Sequence, residues 1–269
     1  MQLLYTAWVW LFGLVVTPVF GTLAILTSWV PPRGSTYQYW ARWWSRTFLA
    51  GAGIDVRVET SAAARAVPEA IFMANHTSAA DIVVLFVALA RDVRFVAKKQ
   101  LFWIPFLGWS MWLAGFIPVD RENKEKAREA FDQIGKRLKK GASILVFPEG
   151  TRSRNGKLGA FKKAGFLLAM RTGLPIVPVG ISGARAVLGA DGLLVRRGRI
   201  EVRVGDPIPS DGYTFARRTE YVERVRAEIL RLGAIMLGVS LIQIAAQIGA
   251  TWYGARASMS FGRDVRNGI

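Results

Sequence analysis

Between residues 54 and 204, short apolar runs alternate with segments in which apolar side chains recur every three or four positions. The runs at 54–59, 71–74, 94–97, 116–119, 143–147, 176–181 and 200–204 predict strands. The clearest predicted helix covers 122–140, where Ala127, Ala130, Phe131, Ile134 and Leu138 share one face and Gly141 supplies a stop. Strands alternating with helices point to an α/β domain with a largely buried sheet. Neither an internal repeat nor a low-complexity linker interrupts it.

The two ends depart from this pattern. Residues 1–32 and 232–255 carry no charged side chain. As one helix, the run 3–30 would be roughly 42 Å long at ~1.5 Å per residue, enough to cross a hydrocarbon core of about 30 Å with tilt. Pro18 disfavours helix at Thr17 and removes a backbone donor, so a single span and two short helices dipping into one leaflet both stay open. The run is too long and too rich in Trp for a cleaved signal peptide, and no Lys or Arg precedes it. The first cations, Arg33, Arg42 and Arg46, follow it, which puts the body on the cytoplasmic side. Aromatics and arginines interleave over 37–48, as suits a membrane-surface helix or an amphipathic connector packed on the body. A charged amphipathic helix is expected over 213–231. In the tail beyond it, Gln243 and Gln247 favour a packed or interfacial helix over a second span, because amides in lipid need partners. The expected division is a membrane-embedded segment at 1–32, the α/β body at 33–231 and a helical tail at 232–269.

Composition narrows the chemistry. With no cysteine and one histidine among 269 residues, disulfide frameworks, thiol nucleophiles, Cys-ligated zinc and multi-histidine metal sites are excluded. A net charge of +17 implies an anionic partner, whether nucleic acid, an anionic lipid surface or a phosphorylated or acidic-protein substrate.

The single histidine lies in Asn75-His76-Thr77-Ser78-Ala79-Ala80-Asp81, a strand-to-helix corner. A lone histidine is more often structural than catalytic. Here Asp81, five residues on, is placed to fix the tautomer of His76 and leave its other nitrogen as a general base. No nucleophile accompanies the pair, since Gly180-Ile181-Ser182-Gly183 lacks the spacing of a nucleophile elbow. The attacking group is then the substrate's own hydroxyl. Phe147-Pro148-Glu149-Gly150-Thr151-Arg152 follows another predicted strand, and Arg152 offers a planar fork suited to a phosphate monoester, or is a solvated turn residue. Arg121 ends the strand before it, and ligands of open α/β sheets collect at strand carboxyl ends. The basic run 136–140 reads as a solvated helix terminus in preference to a docking site for an anionic partner. Lys98 and Lys99, beside the apolar stretch 101–112, are better placed for a donor or headgroup.

Four blocks in order, Asn-His-x4-Asp at 75–81, Gly-x-Ile-x3-Arg at 115–121, Phe-Pro-Glu-Gly-Thr-Arg at 147–152 and Val-Pro-Val at 177–179, resemble those of the glycerolipid acyltransferases. The resemblance extends over about 67–207 and implies a mostly parallel, helix-flanked sheet of the glycerol-3-phosphate acyltransferase type. It implies transfer of an acyl group from an acyl-CoA or acyl-carrier-protein thioester to the sn-2 hydroxyl of 1-acylglycerol-3-phosphate, giving phosphatidic acid. A sister activity on another lysolipid is the alternative. By this resemblance His76 is the base and Asp81 its orienter. Arg121 and Arg152 hold the phosphate, with Gly150 and Thr151 in the same acceptor-binding loop. Glu149 contacts the glycerol or braces the loop, and Pro178 shapes the acceptor pocket. No metal or bound cofactor is implied. The partners are the lysolipid, the thioester donor and a phospholipid membrane, with the catalytic domain on the cytoplasmic side of a bacterial-type inner membrane. A membrane-tethered nucleic-acid binder, resting on charge alone, has no recognisable reading motif.

Overall fold

The computed structural model describes residues 1–30, 35–120, 142–190 and 192–267, with 125, 129, 130 and 134 between them. Seven strands form one sheet: β1 (Ile54–Thr60), β2 (Ile71–Ala74), β3 (Val93–Lys98), β4 (Ile117–Val119), β5 (Ser143–Val146), β6 (Ile176–Ser182) and β7 (Gly198–Val204). Each lies on one of the predicted runs. Their order is β1-β7-β6-β2-β5-β3-β4, and every neighbouring pair is parallel except β6 with β7.

The central strands are apolar throughout because both their faces are covered. Ile71 and Met73 of β2 join Ile144, Val146, Ile176 and Phe166 on one face; Phe72 and Ala74 join Leu145, Val177 and Val179 on the other. Helix α4 (Ala80–Ala88), after a short α3 (Ala62–Ala66), covers the second face with Val84 and Leu85. Helix α6 (Ala164–Thr172) covers the first with Phe166 and Leu168. Full burial of each such side chain stabilises the fold by about 1.5–3 kcal/mol. The edge strand β1 is half exposed, and Asp55 and Glu59 pair with Arg199 and Arg203 of β7 at 2.7 Å.

The connections position the site. From β2 the chain passes through α4 to β3, skipping β5, whereas from β5 it passes through α6 to β6, on the other side of β2. Two adjacent parallel strands therefore send their chains to opposite faces, and a crevice opens at their carboxyl ends.

Helix α1 (Gln2–Leu26) runs unbroken through Pro18, so the proline does not divide residues 3–30 into two short helices. The returning partner is α2 (Ser35–Gly51). The two lie antiparallel: Trp40 Nε1 donates to Thr27 Oγ1 at 2.9 Å, Trp44 Nε1 to Thr17 Oγ1 at 3.1 Å and Trp8 Nε1 to the Gly51 carbonyl at 3.0 Å. Thus the aromatic–arginine stretch at 37–48 has two faces. Tyr37 and Ala41 are buried against the body, and Tyr39 and Trp43 are exposed, with Arg46 stacked over Trp43. The remaining helices of the body are α5 (Leu107–Leu113), the single turn α7 (Ala184–Val187) and the beginning of α8 (Arg218–Asn267).

Of the helix expected over 122–140, residues 125, 129, 130 and 134 are helical and Ile134 is buried. The rest of it, including the basic run 136–140, lies outside the described residues. The chain divides into two compact units, Met1–Leu232 and Gly233–Ile269. The second is helical and exposes Leu237, Leu241, Ile244, Ile248 and Trp252. Two helical stretches, Gln2–Leu26 and Arg218–Arg256, are long and apolar enough to cross a membrane.

Candidate active site

The corner after β2 is pinned from several directions. Asn75 uses both ends of its amide on one residue of β6, accepting from Ile181 N at 2.7 Å and donating to its carbonyl at 2.9 Å. This continues the β2–β6 ladder one position past the Ala74–Val179 pair, with a side chain in place of backbone. His76 N donates to Glu149 Oε1 at 2.9 Å, and the His76 carbonyl accepts from Ser153 N at 2.7 Å.

The side chain of His76 is held as firmly. Its Nδ1 lies 2.8 Å from Asp81 Oδ2, and the Phe147 ring stacks on the imidazole with centroids 3.9 Å apart. Asp81 is fully buried in the first turn of α4. Its Oδ2 also accepts from Thr77 N at 2.7 Å and Ser78 N at 2.8 Å. These donors fix the carboxylate, the carboxylate keeps the proton on Nδ1, and Nε2 is left as the basic nitrogen. A carboxylate placed with a buried imidazole in this way also stabilises the imidazolium that forms when Nε2 takes a proton.

The loop after β5 carries Glu149, Gly150, Thr151 and Arg152. Glu149 is buried, with Oε1 on His76 N and Oε2 on Gly159 N at 2.8 Å. Both carboxylate oxygens thus take backbone N–H groups, one from the corner after β2 and one from the loop after β5. Gly150 has φ +74°, so the backbone is what favours glycine there; the atom 2.6 Å from an added Cβ is Cε of Lys162, the movable end of a flexible side chain. Thr151 and Arg152 are exposed, and they immediately precede Ser153, whose N–H bonds to the His76 carbonyl.

Next to His76 lies a cavity of about 190 Å³. Its wall includes Gly21 and Ala24 of α1, Trp40, Ala41 and Trp44 of α2, Ala79 and Val83 at α4, Phe95 and Lys98 of β3, and Leu107 and Met111 of α5. Tyr37 also lines it, and burial pushes its phenol pKa well up, so the ring is a neutral wall. Among the described residues, the titratable groups on that wall are His76, Tyr37 and Lys98.

The other expected residues distribute unevenly. Lys98 lines the cavity, whereas Lys99 pairs with Asp120 at 2.6 Å. Pro178 shares the sheet face of Met73 and Ile176, opposite the face that carries the cavity, and an added Cβ on Gly205 would come 3.1 Å from its Cγ. Its ring therefore packs behind the sheet and does not line the cavity beside His76. The position follows from strand parity, since Val177 and Val179 take the cavity side. Arg121 lies outside the described residues. Among the described residues no cluster of acidic side chains and histidine suits a metal ion. Sequence reasoning assigned no role to Asn75 or Phe147, although both stand inside quoted blocks; the contact of Lys162 with Gly150 left no signal in the sequence.

The family description "Acyltransferase" matches residues 55–182. The chain is 34% identical over 176 residues to the 1-acyl-sn-glycerol-3-phosphate acyltransferase of Haemophilus influenzae, covering 65% of this chain and 72% of that protein. It is 37% identical over 141 residues to the chloroplastic 1-acyl-sn-glycerol-3-phosphate acyltransferase LPAT1 of Arabidopsis thaliana, where the match covers 52% of this chain and 39% of the plant protein. The chain thus spans about two-fifths of the length of that relative. Its fold is similar to the crystal structure of the 1-acyl-sn-glycerophosphate (LPA) acyltransferase of Thermotoga maritima, with a TM-score of 0.72 and 26% identity over 87% of this chain and 96% of that one. By sequence blocks, fold and relatives, the chain belongs to the 1-acyl-sn-glycerol-3-phosphate acyltransferase family.

Proposed function

We propose that the protein transfers a fatty acyl group from a thioester donor to the sn-2 hydroxyl of 1-acylglycerol-3-phosphate, producing phosphatidic acid for phospholipid biosynthesis. The observation that carries this reading is the buried His76–Asp81 pair at 2.8 Å beside an apolar cavity. His76 Nε2 takes the hydroxyl proton as the oxygen attacks the thioester carbonyl. The C–O bond forms, the tetrahedral intermediate collapses, the C–S bond breaks, and the leaving thiolate takes the proton back from Nε2. Asp81 holds the tautomer before the step and the imidazolium during it.

The cavity suits an acyl chain because its wall is largely hydrocarbon and aromatic and includes His76. Arg152, exposed in the loop after β5, and Arg121 would hold the acceptor phosphate through planar forks. Gly150 and Thr151 shape the loop that carries Arg152. Lys98 is assigned to the donor or headgroup, which is supported by its place on the cavity wall. The donor is acyl-CoA or acyl carrier protein, and the reaction uses no bound cofactor because the thioester supplies the driving force. Helix α1 seats the enzyme in a bacterial-type inner membrane with the catalytic body on the cytoplasmic side, in keeping with the cations that follow the apolar run.

The test offers membranes containing the protein a labelled thioester and a panel of lysolipids. Label is expected in phosphatidic acid, and Arg152→Ala is expected to raise the lysophosphatidate KM by about tenfold or more while leaving transfer to acceptors lacking a phosphate monoester little changed. Label confined to another lysolipid would overturn the acceptor assignment. Equal losses for both kinds of acceptor would overturn the role of Arg152.

A further inference from the structure

Helix α5 and the 3₁₀ turn before it, Lys99–Trp103, present a second apolar surface that the catalytic reading does not use. Trp103 is 82% exposed, Trp112 71%, Trp109 54% and Leu113 53%. The opposite side of the same helix is spoken for, because Leu107, Ser110 and Met111 line the cavity. So this short helix has one face on the cavity and the other, rich in indole, turned outward.

The outward face is continuous with that of α1. Gly21 of α1 meets Phe106 so closely that an added Cβ would come 3.0 Å from Phe106 Cβ, and the Phe106 ring packs on Trp109 with centroids 5.5 Å apart. Phe106 itself holds φ +61°, an uncommon conformation for a side chain of its size, and it sits at this seam. On the α1 side, Leu14, Val15, Val19 and Leu26 are each more than half exposed. Lys98 and Lys99 are exposed at the start of the turn.

We propose that α5 and its preceding turn form a second membrane contact, seated in the headgroup region of an anionic phospholipid bilayer beside α1. Seven residues of helix extend only about 10 Å, far too short to span, so the element lies at the interface. Indole rings favour that region because they combine an apolar body with an N–H donor, and lysines at its edge complement anionic headgroups. A second copy of the chain is the competing occupant. The continuity with α1, the richness in indole and the flanking cations favour lipid. One consequence is that α5 stands between the bilayer and the cavity, which then lies beside the headgroup region.

The inference rests on the membrane seat proposed for α1, and the experiment separates the two. The chain has no cysteine, so single-cysteine variants of the full protein carry one label each. Trp112→Cys reports α5, Leu14→Cys reports α1 and Arg57→Cys on the exposed edge strand β1 is the aqueous control, each labelled with an environment-sensitive fluorophore in phosphatidylethanolamine–phosphatidylglycerol vesicles. Lipid-borne nitroxide is expected to quench position 112 at least about threefold more than position 57, with iodide showing the reverse order. Trp103→Cys reads the same face should Trp112→Cys fold poorly. Iodide access at 112 or 103 equal to that at 57 would overturn the proposal, as would protection from both quenchers, the signature of a protein partner. Lipid quenching at 14 without quenching at 112 overturns the α5 contact alone; its absence at both positions overturns the membrane seat of α1 as well.

Discussion

The His76 corner and the cavity beside it are neighbours built on different principles. The corner is held by hydrogen bonds, some between groups far apart in the sequence, Asn75 to Ile181 and His76 to Glu149 and Ser153, and some local, with Asp81 taking three donors at once from residues 76–78. The cavity is held by ring packing and close helix approach, with Trp44, Phe86 and Tyr37 meeting edge to face. A directional network loses its geometry when one acceptor becomes a donor. An apolar wall loses only volume or area, and changes by degrees. Substitutions in the corner should therefore act on kcat, and substitutions in the wall on which chains are accepted.

The strongest separation is expected from Asp81→Asn. The three donors all meet Oδ2, so an amide oxygen there can still accept from His76, Thr77 and Ser78, but the substitution removes the charge that stabilises the imidazolium and puts an NH2 where the buried Oδ1 has no hydrogen-bond partner. The kcat for acyl transfer should fall on the order of 10³-fold with the acceptor KM little changed, as steady-state assays will read. A fall in KM alone would place Asp81 outside the proton-transfer step.

Glu149→Gln should have the next largest effect. Its two oxygens take N–H groups from His76 and Gly159, and an amide satisfies only one of them. Displacing His76 should lower kcat about ten- to hundredfold while the lysophosphatidate KM stays within about twofold. A KM rise at constant kcat would instead mean that Glu149 binds the acceptor.

Ala41→Leu should have the smallest effect, and of a different kind. Ala41 is buried on the cavity wall, so three added carbons shorten the space beside Trp44. Competition between long and short acyl chains should shift toward the short by roughly threefold to tenfold, with kcat for short chains preserved. An unchanged preference would remove the cavity from acyl selection.

The same contrast explains what could be seen in the sequence. The strands were legible because central strands covered on both faces, such as β2 and β6, leave uninterrupted apolar runs. The candidate base and its orienter were legible because they stand five residues apart on one corner, a spacing that a strand-to-helix turn closes to 2.8 Å. Partners distant in the chain were not. The two N–H groups on Glu149 come from residues 73 positions before and 10 positions after it, and only the folded loop brings them to one carboxylate. The side of the sheet taken by Pro178 depends on the parity of β6 against β2, so a shift of one residue would have reversed it. The α1–α2 pairing was hidden for another reason. Pro18 argued for a break inside α1, whereas the turn lies after Leu26 and indole-to-threonine hydrogen bonds join the helices on either side.

The central claim, that His76 is the base for acyl transfer to a lysophosphatidate hydroxyl, is most directly tested by following labelled acyl thioester into phosphatidic acid with wild-type protein and His76→Ala at matched amount and circular dichroism. Because the chain contains no second histidine, the account predicts product from the wild type and background from the variant. Phosphatidic acid formed by His76→Ala at a rate near that of the wild type would contradict it.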